Sequence, residues 1–501
     1  MNKYLLGIDI GTTSVKTIIC NVNNYKIVAD AKATHDLFSP HPGWAEENPT
    51  DWWNNVIITI KSCMKKTNID PKEIAGIGVS GMVPAFLLLD SEGKLLRLSI
   101  QQNDARSYKE IEEIRIKIKD DDFFDITGCI VNQQMIGPKI LWMKKNKPDI
   151  FKKAKKIMGS YDYIVYKLTG EYSLEHNWAL ESGLYDIHAG KWSNKIFEII
   201  GINKDIFPKV NKPTDIVGRV NKEVSKRLNL KEGTPVVAGS ADHIASAFMA
   251  GIQNEGDLLL KFGGAGDILC STDKLVTDKR LFIDYHIIPH KFLINGCMAS
   301  SGSALKWFAR QSFKEDKLNY KEIDEEANKL SSGSDGIVVL PYFVGEKTPI
   351  FDPLARGVIF GLSLHHSKYH IYRALLEGIG YGFLHHIEVL KELGFEPKNI
   401  IATNGGAISR IWGKIISNII GYPISYLKEN PGSSLGVAFI AGMGTNCYND
   451  WSEARRFIKV SHTIYPDEKE HAKYQKFFEI YKKLYLSLKD LYKDLDRATK
   501  I

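Results

Sequence analysis

The sequence predicts an α/β protein built from two similar lobes that face one cleft. Buried β-branched runs alternate with amphipathic helical segments along the chain, which is typical of mixed sheets covered by helices. A strand, a glycine-containing turn and a second strand occur near the start, and the same plan returns roughly 250 residues later. At roughly 150 residues per domain, a chain of 501 residues has room for two such lobes.

The first lobe is expected to begin with a β-hairpin. Residues 4–10 and 15–22 are apolar, β-branched runs, and the turn GTTS at residues 11–14 separates them. Residues 51–66 have the amphipathic pattern of a helix, and residues 74–81 have the pattern of a buried strand that ends in glycine. These elements predict a mixed sheet with a helix packed on it.

The second lobe is expected to repeat that design. The segment PVVAGSADHIASAFMAG, from residue 235, runs from a strand into a helix of small residues. Residues 256–262 and 267–272 are strand-like runs on either side of the turn GGAG at residues 263–266. Two hairpins of one design indicate two similar lobes, although their residues hardly match.

The boundary between the lobes is placed at about residue 247. The predicted first domain covers residues 1–247, and the predicted second domain covers residues 248–465. Residues 466–501 carry apolar side chains at helical spacing and are expected to form a C-terminal helical extension.

Composition and charge exclude several classes of protein. Apolar residues make up 44% and charged residues 25%, which are globular values and not those of a disordered or collagen-like chain. The net charge of +7 arises from 66 basic and 59 acidic residues that are interspersed, so no nucleic-acid partner is expected. No apolar run is long enough for a membrane span, and the start MNKYLLGIDIG lacks the layout of a secretory signal. The six cysteines form no CxxC pair, so a cytoplasmic protein with free thiols is expected.

A carboxylate and two hydroxyls stand at the turn of the first hairpin. Asp9 lies at the end of a buried strand, and Gly11, Thr12 and Thr13 follow it. The backbone N–H groups of such a turn can bind phosphate oxygens while the carboxylate holds Mg²⁺ or its waters. The chain has no GxxxxGK[ST] loop and no GxGxxG motif after its first strand, which excludes a P-loop and a Rossmann fingerprint. The alternative is an ordinary hairpin with a polar turn.

The turn of the second hairpin is rich in glycine. It consists of Gly263, Gly264, Ala265 and Gly266. Because only Ala265 carries a Cβ, the backbone can approach a phosphate closely. Together with the first turn, it would hold a polyphosphate from the opposite side. The alternative is a tight hairpin whose glycines are needed for positive φ.

Asp242, in the segment GSADHIAS, lies between a strand and the first turn of a helix. A carboxylate near a helix N-terminus stays ionised and can accept a proton from an attacking hydroxyl, which contributes about 10²- to 10⁴-fold to a rate. The alternative is that Asp242 is the N-cap of this helix. His243 beside it is interpreted as a packed or surface histidine.

A loop after a later strand carries polar groups suited to a sugar. Asn103, Asp104 and Arg106 offer an amide, a carboxylate and a guanidinium group, which together can recognise the hydroxyls of a polyol. The alternative is a loop in which Asp104 and Arg106 form a surface ion pair.

A glycine pair near the end of the chain suits a nucleotide. Gly405 and Gly406, followed by Arg410, lie between a strand and a helix, where a flat base or a ribose can rest on the backbone. An ordinary strand-to-helix turn is the alternative.

Nine segments taken together resemble the FGGY family of carbohydrate kinases. They follow the family's order over about residues 4–444 and are LLGIDIGTTSVK, PGWAEENPTDWW, GIGVSGMVPAFLLLDSEGKLL, NDARS, GSADH, GSALKWF, GEKTPIFDPLARGVIFGLS, NGGAISRIW and PGSSLGVAFIAG. The resemblance implies two lobes of the ribonuclease H-like, actin-type ATPase fold, with ATP and a sugar in the cleft between them.

The same resemblance implies a role for each candidate residue. Asp9 would serve the metal ion, Mg²⁺, and Asp242 would be the general base that deprotonates the sugar hydroxyl. The residues implied to bind ATP are Gly11, Thr12, Thr13, Gly263, Gly264, Gly302, Lys306, Gly405, Gly406 and Arg410. The implied reaction is in-line phosphoryl transfer from Mg·ATP, in which positioning and charge neutralisation supply most of the rate.

The expected sugar pocket departs from the subfamily that it is most similar to, the xylulokinases. The residues implied to bind substrate are Met82, Val83, Pro84, Gln102, Asn103, Asp104 and Asp242. The first three stand where xylulokinases typically carry Gln-Met-His, so an imidazole is missing, and Gln102 stands where a tryptophan is typical. In the second turn, Gly264 stands where Thr or Ser is usual, which removes one hydroxyl donor.

The expected activity is an ATP-dependent sugar kinase. Its first expected acceptor is a ketopentose, D-xylulose, which would become D-xylulose 5-phosphate. The alternative acceptors are another ketose such as ribulose, an alditol such as erythritol or glycerol, and an aldonate such as gluconate. A non-catalytic ATP-binding sensor of actin-like fold is the alternative of another class, but it leaves the presence of both Asp9 and Asp242 unexplained. The expected partner is a small sugar or polyol, without nucleic acid or membrane, and a homodimer is an open alternative for the assembly.

Overall fold

A computed structural model describes residues 3–313, 319–403, 405–429 and 432–499. Its strands are β1 (Tyr4–Gly11), β2 (Ser14–Asn21), β3 (Lys26–Thr34), β4 (Glu46–Glu47), β5 (Ile74–Gly81), β6 (Leu87–Leu89), β7 (Ser99–Ile100), β8 (Lys156–Met158), β9 (Leu174–Glu175), β10 (Tyr185–Asp186), β11 (Lys191–Trp192), β12 (Val210–Asn211), β13 (Ile216–Arg219), β14 (Pro235–Val237), β15 (Ser240–Ala241), β16 (Asp257–Phe262), β17 (Gly266–Thr272), β18 (Phe282–Tyr285), β19 (Phe292–Met298), β20 (Val338–Leu340), β21 (Val358–Phe360), β22 (Asn399–Thr403), β23 (Ile424–Leu427) and β24 (Val460–Ile464).

The α-helices cover both faces of the main sheets. They are α1 (Pro49–Thr67), α2 (Tyr108–Lys117), α3 (Asp120–Thr127), α4 (Ile136–Asn146), α5 (Pro148–Lys153), α6 (Ser160–Thr169), α7 (His176–Glu181), α8 (Asn194–Ile200), α9 (Lys222–Leu228), α10 (Asp242–Met249), α11 (Gly302–Ser312), α12 (Tyr320–Asn328), α13 (Lys368–Glu392), α14 (Arg410–Ile420), α15 (Gly432–Gly444) and α16 (Glu468–Thr499). Within the described ranges, no helix is both long and apolar enough to cross a membrane. Asn404 and Pro431, the first residues of two of the motifs quoted above, lie outside those ranges.

Each lobe is built around a seven-stranded mixed sheet. The first has the order β13-β14-β5-β1-β2-β3 with β15 beside β5, and the second has the order β18-β19-β17-β16-β22-β23-β24. In both, an antiparallel hairpin (β1–β2 or β16–β17) is followed across the sheet by two parallel strands (β5 and β14, or β22 and β23). The two sheets therefore repeat one topology, and the predicted α/β fold of two similar lobes is confirmed.

Both predicted hairpins are present. The first closes with Gly11 opposite Ser14, and the second closes with Phe262 opposite Gly266. Neither Gly263 nor Gly264 has a positive φ. The alternative that the second turn needs its glycines for positive φ is therefore wrong.

The chain returns from the second lobe to the first near its end. Helix α15 packs on β1, β5 and α10, and its Val437 and Phe439 belong to the first hydrophobic core. Strand β24 then rejoins the second sheet, and α16 enters the second core through Tyr474, Phe478 and Tyr481. The predicted division into consecutive domains, 1–247, 248–465 and 466–501, stays a prediction. It assigns α15 to the second domain, although this helix packs on the sheet of the first lobe.

Glycines in two neighbouring strands let α15 lie directly on the first sheet. Gly7 of β1 and Gly78 of β5 are partners in register. A Cβ added at Gly7 would lie 1.9 Å from the carbonyl oxygen of Ser434, and one added at Gly78 would lie 2.0 Å from that of Val437. Any larger side chain at these positions would push the helix off the sheet, because a backbone carbonyl cannot turn aside.

Replacing Gly78 by alanine tests this packing. The Gly78→Ala variant is expected to lose about 1–3 kcal/mol of unfolding free energy, because the new methyl group overpacks the helix–sheet contact. Gly76→Ala, in the same strand, is the matched control, since its Cβ would meet the movable Cγ2 of Thr445 at 2.9 Å. Urea unfolding followed by circular dichroism measures both variants. Equal stability of the two would contradict the account given for Gly78.

Candidate active site

Two carboxylates meet at the carboxyl ends of parallel strands in the first sheet. Asp9 of β1 lies opposite Ser80 of β5, and Ser80 lies opposite Ser240 of β15. Asp242 comes just after β15 as the first residue of α10. Because the carboxyl ends of parallel strands share one edge of a sheet, this alignment brings Asp9 and Asp242 together.

The carboxylate of Asp242 is open to the space between the lobes. The N-cap of α10 is Ala241, without a side-chain capping bond, so the alternative interpretation of Asp242 as the N-cap is wrong. The side chain of Asp242 is 39% exposed, and its Oδ1 lies 3.7 Å from Nδ1 of His243. Asp242 is thus accessible from the cavity, as a proton acceptor must be.

Asp9 is held in a more enclosed position. Burial and the charge of Asp242 raise the pKa of Asp9 from 3.8 to about 6, and hydrogen bonds from Ser80 and Ser433 oppose part of this rise. The hydroxyl of Ser80 donates to Oδ1 of Asp9 at 2.8 Å. A divalent cation would relieve the repulsion between the two carboxylates, and carboxylate oxygens are the ligands that Mg²⁺ prefers. The residues present therefore fit a Mg²⁺ ion at Asp9.

A cavity of about 340 Å³ lies between the lobes and reaches Asp242. Among the residues that sequence analysis selected, Val83, Gln102, Asp242 and Ala265 line it. The cavity therefore brings the catalytic candidate of the first lobe and the glycine turn of the second lobe to one space. The other polar groups of its lining are Thr127, Asn132, Gln134, Glu181, His243, Lys261, Asp267, Asp284, Asn295 and Lys347.

The carbonyl groups of the glycine turn are bound by the start of α11. The N–H of Ser301 donates to the oxygen of Gly264 at 2.8 Å, and the N–H of Gly302 donates to the oxygen of Gly263 at 2.9 Å. In a trans peptide the N–H points opposite to the C=O, so the N–H groups of Gly264 and Ala265 are directed away from α11. A Cβ at Gly302 would lie 2.7 Å from the oxygen of Gly263. This close approach explains the need for glycine at 302.

The glycine pair predicted for the nucleotide lies beside this turn. A Cβ at Gly406 would meet the ring of Trp412 at 2.2 Å and Cβ of Phe262 at 2.8 Å, and Phe262 directly precedes the turn. Gly405 has open space around it. The side chains of Lys306, on α11, and Arg410, at the start of α14, are exposed. In the first lobe, Thr12 and Thr13 are exposed at the tip of the β1–β2 hairpin, next to half-buried Gly11.

The predicted sugar-binding residues do not all reach the cavity. Met82 and Pro84 are buried, and the carbonyl oxygen of Met82 accepts a hydrogen bond from the hydroxyl of Ser160 at 2.7 Å. Asn103 is exposed and is not part of the cavity lining. Of the two loop segments predicted to bind the sugar, Val83 and Gln102 are the residues that line the cavity.

Asp104 lies in a buried ion pair. Its Oδ1 accepts from Nε of Arg106 at 2.8 Å, and its Oδ2 accepts from Nη2 of Arg106 at 2.7 Å and from the N–H of Ala45 at 2.6 Å. The guanidinium of Arg106 also stacks on Trp44, 3.7 Å from the ring centroid. The Asp104–Arg106 pair exists, but it is buried and not on the surface. Direct contact of Asp104 with a sugar stays a prediction, and in this geometry both of its oxygens are already occupied.

His243 is a cavity residue that sequence analysis interpreted as packed or on the surface. Its Nε2 lies 3.1 Å from Oδ2 of Asp284, which belongs to the second lobe, and 4.0 Å from Glu181. Although burial opposes it, hydrogen bonds and charges of Asp242, Asp284 and Glu181 raise the pKa of His243 well above its usual value. The one signal in the sequence was its position next to Asp242. Asp284 and Glu181 gave no signal, because their partners are distant in the chain.

Glu181, His243 and Asp284 also bring one potential metal ligand each to within 4.8 Å of one another. The geometry also fits an ion-paired cluster, because Nε2 of His243 lies 3.1 Å from Asp284 and 4.0 Å from Glu181.

Comparison with known proteins agrees with this arrangement. The chain matches the N-terminal domain of the FGGY family of carbohydrate kinases over residues 4–249 and the C-terminal domain of that family over residues 271–445. A xylulose kinase of Bacillus subtilis (strain 168) is 31% identical over 98% of this chain and 98% of its own length.

Solved structures are similar over the same extent. A xylulose kinase from Rhodospirillum rubrum has a TM-score of 0.93 at 37% identity, covering 98% of this chain and 100% of that chain. A gluconate kinase from Lactobacillus acidophilus has a TM-score of 0.92 at 27% identity, covering 99% of this chain and 100% of that chain. Both lobes and the space between them are thus shared with kinases of different acceptors.

The raised pKa of Asp9 predicts how magnesium and pH act on stability. The folded protein binds a proton at Asp9 more tightly than the unfolded chain does, so the stability that this proton contributes is lost as pH rises from 3.8 through about 6. At pH 8, millimolar Mg²⁺ is therefore expected to raise the melting temperature of the wild type by replacing the lost proton. Differential scanning fluorimetry between pH 4 and pH 8 measures this response.

The Asp9→Asn variant is the test of that assignment. It is expected to melt higher than the metal-free wild type at pH 8, to lose this advantage near pH 4, and to show little response to Mg²⁺. Asp490→Asn, which removes a carboxylate that is 90% exposed on α16, is the matched control and should behave like the wild type. An equal Mg²⁺ response in the Asp9→Asn variant would show that the ion binds elsewhere.

Proposed function

Because the chain belongs to the FGGY family of carbohydrate kinases, we propose that it transfers the γ-phosphate of ATP to a hydroxyl group of a ketopentose. The first candidate for this acceptor is D-xylulose. The observation that carries this proposal is the cavity in which Asp242 of the first lobe faces the glycine turn of the second. The similarity to xylulose kinases over the full chain supports the choice of acceptor.

Asp242 is proposed to be the general base. Its carboxylate accepts the proton of the attacking hydroxyl while that oxygen forms a bond to the γ-phosphorus. The bond from the γ-phosphorus to the bridging oxygen breaks, and ADP leaves with the electron pair. His243 lies beside Asp242 and is held by Asp284, whose Oδ2 lies 3.1 Å from its Nε2.

The two hairpin turns are proposed to hold the phosphates. The N–H groups of Gly264 and Ala265, turned away from α11, are the donors that the second lobe offers, and Gly11, Thr12 and Thr13 offer the donors of the first. Asp9 would hold Mg²⁺, which when bound neutralises part of the phosphate charge. Gly302, Lys306, Gly405, Gly406 and Arg410 are proposed to surround the rest of the nucleotide.

The acceptor is the less determined part of the proposal. Pro84 is buried where an imidazole is typical of xylulokinases, and Gln102 lines the cavity in place of a tryptophan. A gluconate kinase has the same overall structure at 27% identity. Other ketoses, alditols and aldonates are therefore the alternative acceptors. A sensor without catalysis is disfavoured, since it would not need the open carboxylate of Asp242 beside the half-buried one of Asp9.

A panel of acceptors tests the proposed function. Coupled detection of ADP release with Mg·ATP is expected to show turnover with D-xylulose well above that with ribulose, erythritol, glycerol or gluconate. The Asp242→Ala variant is expected to lose at least about a hundredfold in kcat, since the proton acceptor is gone. Turnover with another sugar instead of D-xylulose would keep the kinase activity and change the proposed acceptor. Undiminished turnover of Asp242→Ala would show that Asp242 is not the general base.

Gly264, which stands in the second turn where a Thr or Ser hydroxyl is usual, gives a further prediction. The nearest heavy atom to a Cβ at Gly264 would be Cβ of Ser303 at 4.0 Å, so a larger residue fits. Gly264→Ser is expected to lower KM for ATP by about 2- to 10-fold, the equivalent of one hydrogen bond. Gly264→Ala, which adds the Cβ without the hydroxyl, is the control. If both variants have the same KM, the hydroxyl makes no contact with ATP.

A further inference from the structure

Three cationic side chains line the cavity between the lobes, and two of them already have acidic partners. Lys261 lies 3.3 Å from Asp267, and His243 lies 3.1 Å from Asp284. The third is Lys347, in the GEKTP segment, a motif to which sequence analysis gave no role. Among the residues that the structure describes, no carboxylate oxygen lies within 4.0 Å of its ammonium group. Within the described ranges, Lys347 is thus the lining cation without an ion-pair contact, although it also interacts electrostatically with the buried Glu346.

The backbone that carries Lys347 is held on both sides of this residue. The carboxylate of Glu346, which is buried, accepts hydrogen bonds from the N–H of Ala299 at 2.7 Å and from the N–H of Lys347 itself at 2.8 Å. On the other side, the hydroxyl of Thr348 lies 2.8 Å from Nε2 of His386 and donates to the carbonyl oxygen of Cys297 at 3.2 Å. The position of the Lys347 backbone is therefore tightly determined.

The segment that holds Lys347 also holds the glycine turn. Residues 297–299 bind Glu346 and Thr348, and Met298 within this segment is the strand partner of Gly266. Ser301, directly beyond it, donates to the carbonyl of Gly264 at 2.8 Å. Lys347 and the proposed phosphate loop are therefore two parts of one hydrogen-bonded unit. The backbone of Lys347 is thus fixed to the same segment as the proposed phosphate loop, and its side chain lines the cavity.

From this geometry, and resting on the proposed function, we propose that Lys347 is a further catalytic residue, one that stabilises the phosphoryl group during its transfer. In that state the negative charge is spread over the three equatorial oxygens of the phosphoryl group. A cationic side chain carried on a fixed backbone stabilises such charge with little reorganisation. Lys347 forms and breaks no covalent bond and exchanges no proton in this role.

The test compares three variants of the full chain. Lys347→Met is expected to lower kcat about 10²- to 10³-fold, the usual cost of removing one such group, and to leave KM for the acceptor within about threefold. Lys347→Arg, which keeps the charge, is expected to recover at least about tenfold of that loss. Lys321→Met removes a lysine that is 87% exposed on α12 and is expected to behave like the wild type.

A binding measurement separates this role from a structural one. ADP with aluminium fluoride mimics the phosphoryl group in transfer, and by isothermal titration Lys347→Met is expected to bind it at least about a hundredfold more weakly than the wild type. Binding of ADP alone should be unchanged. Equal losses for both ligands would overturn the proposal, as would unchanged kcat or an effect confined to KM for the acceptor. If the wild type shows no sugar-dependent ADP release, the proposed function fails, and the fluoride comparison still decides the role of Lys347.

Discussion

The register of three parallel strands is the constraint on which the candidate site depends. It places Asp9, Ser80 and Ser240 side by side and leaves Asp242 at the start of the next helix. Two carboxylates are thereby forced to one edge of a sheet, where burial and mutual repulsion raise the pKa of Asp9 to about 6. A fold built only for stability would avoid this arrangement, because like charges that are removed from water repel strongly. A divalent cation at Asp9, as proposed above, would offset this repulsion.

The groups that would compensate this negative charge belong to the second lobe. The glycine turn, the start of α11 and the loop of Lys347 are joined by hydrogen bonds from residues 297–302, so they form one unit. The lobes also touch directly: Asn177 and Tyr285 exchange two hydrogen bonds, and His243 pairs with Asp284. These contacts help to set the distance between Asp242 and the glycine turn, and under the proposed function this distance matters for an in-line reaction.

Much of the architecture was predictable because its signals are local. Alternating strands and helices, the two hairpins and the positions of Asp9 and Asp242 at strand ends all follow from short stretches of sequence. The remaining features depend on partners far apart in the chain. The Asp104–Arg106 pair itself is local, but it is enclosed because Arg106 stacks on the distant Trp44, and His243 belongs to the site because Asp284 faces it. No periodicity or motif encodes such pairings.

The return of α15 to the first sheet has a consequence for biosynthesis. Gly7 and Gly78 offer a backbone surface that α15 covers, and this helix is encoded after most of the second lobe. Until α15 has been translated, one face of the first sheet stays exposed to water and the core of the first lobe is incomplete. The lobe that is made first therefore cannot mature before most of the second is made, and the nascent chain must keep an apolar surface from aggregating during that time.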